Sequence, residues 1–400
     1  MIKKTNTLIP EIRFPEFLKE SEWLEKSLGS ICNVTNGKAN AQDHVEGGKF
    51  PLFDRSAVIK ATNNYIFDCE AVIIPGEGMR FVPKYFEGKF NLHQRAYALK
   101  DFTCNGQFVY FSMLHRSNLI SQKAVQSTVL SLRLPILQNF PIQIPKKSKE
   151  QQKIASCLTS LDEVIAAHSQ KLEVLNQHKK GLMQKLFPQE GETVPKYRFP
   201  EFVNDGRWAN LTLGEICKIT SGGTPNRSTS EFWNGDIPWI STTLIDFNTV
   251  NQANEYITEI GLQNSSAKMF LKGTILMAMY GQGKTRGKVA ILGIEATTNQ
   301  ACAAIILKKG YNTDYVFQYL AAHYDEIREL SNKGGQENLS GGLIEIIPIS
   351  IPKAKEQQKI ADCLSSLDAL ITGQKEKIEQ LKLHKKGLMQ DLFPKIEESL

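Results

Sequence analysis

The stretch "AMYGQGKT" (278–285) is the first place where residue types and spacing suggest chemistry, because Gly283-Lys284-Thr285 matches the end of a phosphate-binding loop. That loop works only when a helix follows the threonine, so that free amides and the helix dipole face the phosphate. Here "RGKVAILG" follows, which reads as a turn into a strand, and Ala278 stands where the first glycine is usual. Nucleotide hydrolysis is therefore not expected. "IPGEGMR" (74–80) has glycines but no dinucleotide fingerprint, and no Asn-Pro-Pro-aromatic run of the kind that grips a flipped adenine is present. The seven cysteines form no C-x-x-C pair and read as small buried hydrophobes. His178 and His384 have no neighbours to complete a metal set and are expected on an outer, partner-facing surface. No catalytic or metal residue is assigned.

The remaining polar chemistry suits a nucleic acid. Lys284, Arg286 and Lys288 sit in one glycine-rich turn. "SGGTPNRSTSEFWNGDIPWISTTLI" supplies Arg227, Ser241, Thr242 and Thr243, and an earlier region offers Arg55, Arg80, Lys84, Arg95 and His93-Gln94. Cations in loops can contact phosphates, while Arg, Gln, Asn, Ser and Thr can hydrogen-bond base edges. Each residue taken alone is equally a solvated loop residue. The net charge of +6 over 400 residues is only a mild basic bias.

The elements that must hold these loops are written twice. "IPEIRFPEF" (9–17) returns as "VPKYRFPEF" (194–202), and Trp23, Leu28-Gly29 and Cys32 return as Trp208, Leu213-Gly214 and Cys217. "EQQKIASCLTSLDEVI" (150–165) returns as "EQQKIADCLSSLDALI" (356–371), and "HKKGLMQKLFP" (178–188) as "HKKGLMQDLFP" (384–394). The offset grows from 185 to 206, so the second copy is longer by 21 residues somewhere in its middle. Between these blocks the copies diverge. Each half is thus a variable segment followed by a constant one.

The constant segments carry a heptad seam. In the first, Ile154, Leu161, Leu175 and Leu182 fall at a, and Leu158, Ile165, Leu172 and Leu186 at d. In the second, Ile360, Leu367, Leu381 and Leu388 fall at a, and Leu364, Ile371, Ile378 and Leu392 at d. His168 and Lys179 interrupt one seam, Gln374 and Lys385 the other. The economical arrangement is an antiparallel coiled coil in which the seams bury each other; the competing one packs each helix on its own domain. The 33 residues from Ile154 to Leu186 would span roughly 50 Å, about 15 base pairs of duplex. An antiparallel pair would also bring the N-terminal "FPEF" block near the C-terminal helix end.

The variable segments carry short strand-like runs such as "EAVIIPG", "RAYALK", "GTILMAMYG", "KVAILG" and "ACAAIILKK". Each reads as a compact α+β domain. The expected fold is α+β: two homologous domains (1–145 and 189–352) alternating with two long helices (146–188 and 353–400) in a pseudo-two-fold repeat. The N-terminus has no signal-peptide core, and no apolar run reaches the ~18 to 20 residues of a membrane span, so a cytoplasmic protein with no membrane partner is expected.

Two variable domains alternating with two near-identical helices resemble the specificity subunit of type I restriction–modification enzymes. The repeated "EQQKIA" and "HKKGLMQ" blocks carry the resemblance, and "SGGTPNRS…FWNGDIPWIS" and "TTNQACAAI" look like that family's second recognition domain, with "NLHQRAYALK" as a looser first version. The resemblance implies a non-catalytic subunit whose two target-recognition domains each read half of a bipartite site in double-stranded DNA. It implies a helix pair that sets the spacing and docks two modification (methyltransferase) subunits, and restriction subunits that translocate and cut. S-adenosylmethionine, ATP and Mg would belong to those partners, with no cofactor in this chain. The competing reading is a bivalent protein-binding adaptor on a coiled-coil spacer.

Overall fold

The computed structural model describes residues 8–125, 129–189, 191–281, 284–331 and 338–395. The chain divides after Ser169 and after Lys375: one unit is the chain up to Ser169 together with the stretch from Glu376 onward, and the other is Gln170–Lys375. Each long helix, Ser148–Leu186 and Ala354–Leu392, therefore contributes part of its length to each unit.

In the first unit, six strands are ordered Asn33–Asn36, Ala96–Lys100, Phe67–Pro75, Lys84–Leu92, Phe50–Phe53 and Lys60–Thr62. From Ala71 onward the strand Phe67–Pro75 is buried on both faces, which explains its unbroken apolar run. Alternation sorts its side chains. Val72 and Ile74 join the core under the helix Gly106–His115, while Ala71 and Ile73 join Phe53, Phe90, Ala96 and Ala98 on the other side.

The second unit repeats the plan with an addition. A five-stranded sheet runs in the order Cys217–Ser221, Cys302–Leu307, Ile275–Ala278, Val289–Leu292 and Asn248–Val250. A four-stranded sheet holds Glu255–Ile257, Trp233–Ile240, Ala296–Thr298 and Met269–Phe270. Ile275 and Met277 face the helix Thr313–Ala322 and its core, while Leu276 and Ala278 face the opposite cluster. Most of the second copy's extra length lies between Ile240 and Ile275, where it builds strands absent from the first copy.

The seam residues are buried or half-buried throughout both long helices. In the first unit Lys385 Nζ donates to Asp162 at 2.5 and 2.6 Å, and in the second Lys179 Nζ donates to Asp368 at 2.6 Å. The lysines that interrupt the seams are thus partners of equivalent aspartates across the pair. Within each unit the helix segments run antiparallel, as the repeat implied. Ile154 and Leu158, at the start of the first helix, share a core with Leu392 and Phe393, at the end of the second. Ile360 and Leu364 likewise share one with Leu186 and Phe187.

The constant blocks owe their identity to what they hold. Glu150, buried, receives Arg13 Nε at 2.6 Å and Nη2 at 2.8 Å, and the indole N–H of Trp23 at 3.2 Å. Glu356 receives Arg198 Nε and Nη2, both at 2.7 Å. The "RFPEF" arginines are therefore bolts into the helix starts. Gln151 accepts from the Asn105 backbone N–H and Gln152 from its side chain; Gln357 and Gln358 treat Asn312 identically. Asn105 and Asn312 in turn cap the helices Gly106–His115 and Thr313–Ala322. The "FPEF" block meets the far end of the other long helix as expected: Ile12 N–H donates to Asp391 O at 2.9 Å. Among the described residues no helix is long and apolar enough to cross a membrane.

Candidate nucleic-acid interface

Gly37 fixes the first candidate site. A Cβ there would lie 1.9 Å from the carbonyl oxygen of Leu92, so only glycine lets the chain lie flat on the end of that strand. Beyond it, Ala39 N–H donates to Leu92 O, Gln94 N–H to Ala39 O and His93 N–H to Phe53 O, at 2.8 to 3.0 Å. These bonds gather three loops at the end of a parallel strand pair, Phe53 beside Leu92. With the hairpin after Pro75 they enclose a cleft of about 510 Å³ that includes Arg55, Arg95, His93, Gln94, Asn40 and Glu77.

Glu77 organises the cations of this cleft. Arg95 Nη1 donates to its two oxygens at 3.1 and 2.9 Å, and Arg55 approaches to 4.0 Å. Asp54 braces the middle loop, accepting from Ser56 N–H and Lys60 at 2.7 Å each. Burial alone would raise the Asp54 carboxyl, but these hydrogen bonds hold it below its ordinary value. Gln94 Nε2 donates to Asn40 Oδ1 at 2.8 Å, leaving two amides side by side in the cleft.

The second unit builds the equivalent place with different side chains. Gly222 takes the role of Gly37, since its Cβ would lie 2.0 Å from Thr298 O. Ile240 and Thr298 form the parallel pair, and Asn299 N–H donates to Ile240 O at 3.0 Å. Thr224 Oγ1 donates to Gln300 Oε1 at 2.5 Å. Close by in sequence, the Arg227 guanidinium lies over Trp233 and Trp239, 3.9 and 4.8 Å from the ring centroids, and is ion-paired with Glu255. That pairing raises Arg227 and lowers Glu255 from their ordinary values.

The sequence-chosen residues divide accordingly. Arg55 and Arg95 share the first cleft, and Arg80 is exposed on the hairpin outside its lining. Lys84 is a brace: it donates to Ser56 O at 2.6 Å from a half-buried position, and burial lowers its affinity for the proton. Thr243 is exposed and Thr242 half-buried in the turn Thr242–Leu244. The trio in the glycine-rich turn does not act as one exposed group. Lys284 is exposed and Lys288 pairs with Asp246 at 2.5 Å, but Arg286 is only 7% exposed, folded under the turn. Gln282 and Gly283 lie outside the described residues. Among the described residues, Thr285 is followed by a turn and the strand Val289–Leu292, not by the helix that a phosphate-binding loop needs.

Sequence reasoning missed the acidic and aromatic partners Glu77, Glu255, Trp233 and Trp239, having searched for cations. It also left Gln300 unassigned, although Gln94 and Gln300 differ by the same 206 residues as the constant blocks. His178 and His384 are exposed. Among the described residues no three His, Cys, Asp or Glu side chains converge on a potential metal site.

The family model described as "Type I restriction modification DNA specificity domain" matches residues 20–177 and 206–383. The MjaIX specificity subunit of Methanocaldococcus jannaschii is 31% identical over 179 residues, 44% of this chain and 41% of that protein. The EcoDI specificity subunit of Escherichia coli is 23% identical over 398 residues, 94% of this chain and 87% of that protein. The chain thus spans about two fifths of the MjaIX and EcoR124I/EcoR124II subunits but most of the EcoDI one. The type I S subunit structure from M. genitalium shares the fold with a TM-score of 0.68 at 16% identity, covering 97% of this chain and 100% of that one. A chain from a structure of the type I R-M system gives 0.55 at 15% identity, covering 93% and 97%. With both halves matched over most of their length, the chain belongs to the type I restriction–modification specificity family.

Proposed function

We propose that this chain reads DNA as the specificity subunit of a type I restriction–modification complex, each unit recognising one half of a bipartite site. The observation that carries this reading is the duplicated loop cluster. Two units place cations and polar side-chain pairs at the same strand ends, on a shared glycine-dependent frame, yet with different side chains. A common frame with divergent surface groups is what two readers of different sequences require.

In this reading the helix pair sets the spacing between half-sites and docks two modification subunits. Supporting this, His178, Lys180 and Gln184 are exposed and recur as exposed His384, Lys386 and Gln390, offering one partner type the same surface twice. The chain itself supplies no catalytic group. S-adenosylmethionine, ATP and magnesium chemistry would reside in modification and restriction partners.

The test is methylome sequencing of a host carrying this chain and its methylating partner. A two-part asymmetric motif is expected, and replacing 23–145 with another domain should change one half only. Inserting one heptad into each long helix should lengthen the gap and keep both halves. An unchanged gap would refute the spacing role. The adaptor alternative predicts no sequence-specific DNA retention by the assembled complex.

A further inference from the structure

Arg95 stands apart from Arg55, the other arginine of its cleft, because its guanidinium is already oriented. Its main chain is pinned from both sides: Gly76 N–H donates to Arg95 O at 2.8 Å, and Arg95 N–H donates to His93 Nδ1 at 3.1 Å. Gly76 has to be glycine for this, since a Cβ would lie 2.4 Å from the Arg95 carbonyl oxygen. The side chain is 61% exposed, and one nitrogen alone, Nη1, makes both bonds to Glu77. Nε and Nη2 make no hydrogen bond among the described residues. The far edge of the guanidinium therefore keeps two parallel N–H donors unused, on a side chain that lines the cleft.

Two parallel donors match the O6 and N7 acceptors that guanine alone displays in the major groove. Adenine offers N7 but a donor beside it, and thymine offers one acceptor and a methyl group. A phosphate would also accept two bonds from arginine. The Glu77 carboxylate on the opposite edge disfavours that, because it sets a negative charge close to where the phosphate would sit, whereas a neutral base incurs no such repulsion. Arg55, with a single 4.0 Å approach to Glu77, lacks this orientation.

We infer that Arg95, held by Glu77, is the residue that specifies a guanine in the half-site read by the first unit. The inference rests on the DNA-reading role proposed above. Glu77 is a positioning residue that also discriminates against phosphate.

The test uses the full chain assembled with its methylating partner and a randomised duplex library, followed by binding to duplexes of the selected sequence. Arg95→Ala should remove preference at one guanine of one half-site, by roughly ten- to a hundredfold, and leave the other half-site untouched. Placing 7-deazaguanine at that position should weaken the wild-type complex and leave Arg95→Ala unaffected. Glu77→Gln should blunt the same preference while raising affinity for unrelated duplex. The assignment is overturned if Arg95→Ala weakens all duplexes equally and lowers the salt slope by about one, the mark of a phosphate contact. It is also overturned if the lost preference falls on another base. Failure of the wild-type complex to select any sequence would instead remove the DNA-reading role itself.

Discussion

Replacing Phe393 with alanine should loosen the unit at the opposite end of the sequence from it. Phe393 is about 1% exposed and sits among Trp23, Phe108 and His115, at centroid distances of 6.1, 5.5 and 5.3 Å. Removing a fully buried phenylalanine costs about 3–5 kcal/mol through lost burial and the cavity left behind, and three ring contacts place this site toward the upper end. At about 2–4 °C per kcal/mol for a body of this size, the first unit should melt roughly 6 to 20 °C lower. Peptide-resolved hydrogen exchange on the full chain assigns the loss. Exchange should accelerate in the strands Phe67–Pro75 and Ala96–Lys100 and the helix Gly106–His115, and change little in Ile275–Ala278 and Cys302–Leu307. Phe187→Ala, whose ring meets Tyr315 and Tyr319 at 5.7 and 5.3 Å, should do the reverse. If Phe393→Ala disturbed only peptides of its own helix, or both units equally, the assignment of each helix end to a unit would be wrong.

Three further outcomes are expected. Burial, helped by the neighbouring Arg116 charge, pushes His115 down to about 4. The unfolded chain therefore takes up this proton first, so the stability is fully present above about 6.5 and is lost as pH falls from there towards 4. It amounts to roughly 3 kcal/mol, and His115→Asn should flatten that part of the denaturation profile. A double-mutant cycle on Asp162 and Lys385, read by urea denaturation, should return a coupling of about 1 kcal/mol, matched by Lys179 and Asp368; zero coupling would show the seam lysines to be incidental. Lys284→Ala should lower the salt slope of DNA binding by about one without changing the methylated motif, whereas buried Arg286→Ala should lower stability instead.

The long helices were legible because a 3.5-residue period is local: each heptad announces its own buried face, and Ile154 to Leu186 needed no distant information. The strands around Val72 and Leu276 were legible for the same reason, as short apolar runs bounded by turn residues. Joining segments across the chain was not. Glu150 and Glu356 stood in plain view inside identical blocks, but their arginines lie 137 and 158 residues away. The antiparallel pairing followed from the repeat, but not which side chains at a helix's far end complete the other unit's core, as Phe187 and Phe393 do. In the clefts, residue type alone could not separate an exposed reader such as Arg95 from a brace such as Lys84 or a buried support such as Arg286. That distinction depends on which carbonyls and carboxylates the fold happens to bring alongside.

The twin clasps of Gln151-Gln152 on Asn105 and Gln357-Gln358 on Asn312 have a practical consequence. They work as a standard fitting. Any incoming domain that supplies an asparagine at the start of its helix and an arginine upstream can be seated without altering the scaffold. Junctions for chimaeric proteins are therefore best cut inside the helices, after the glutamine pair, with the arginine-bearing block travelling alongside the domain it locks. A graft that respects these borders keeps every bond of the fitting and exchanges only the cartridge.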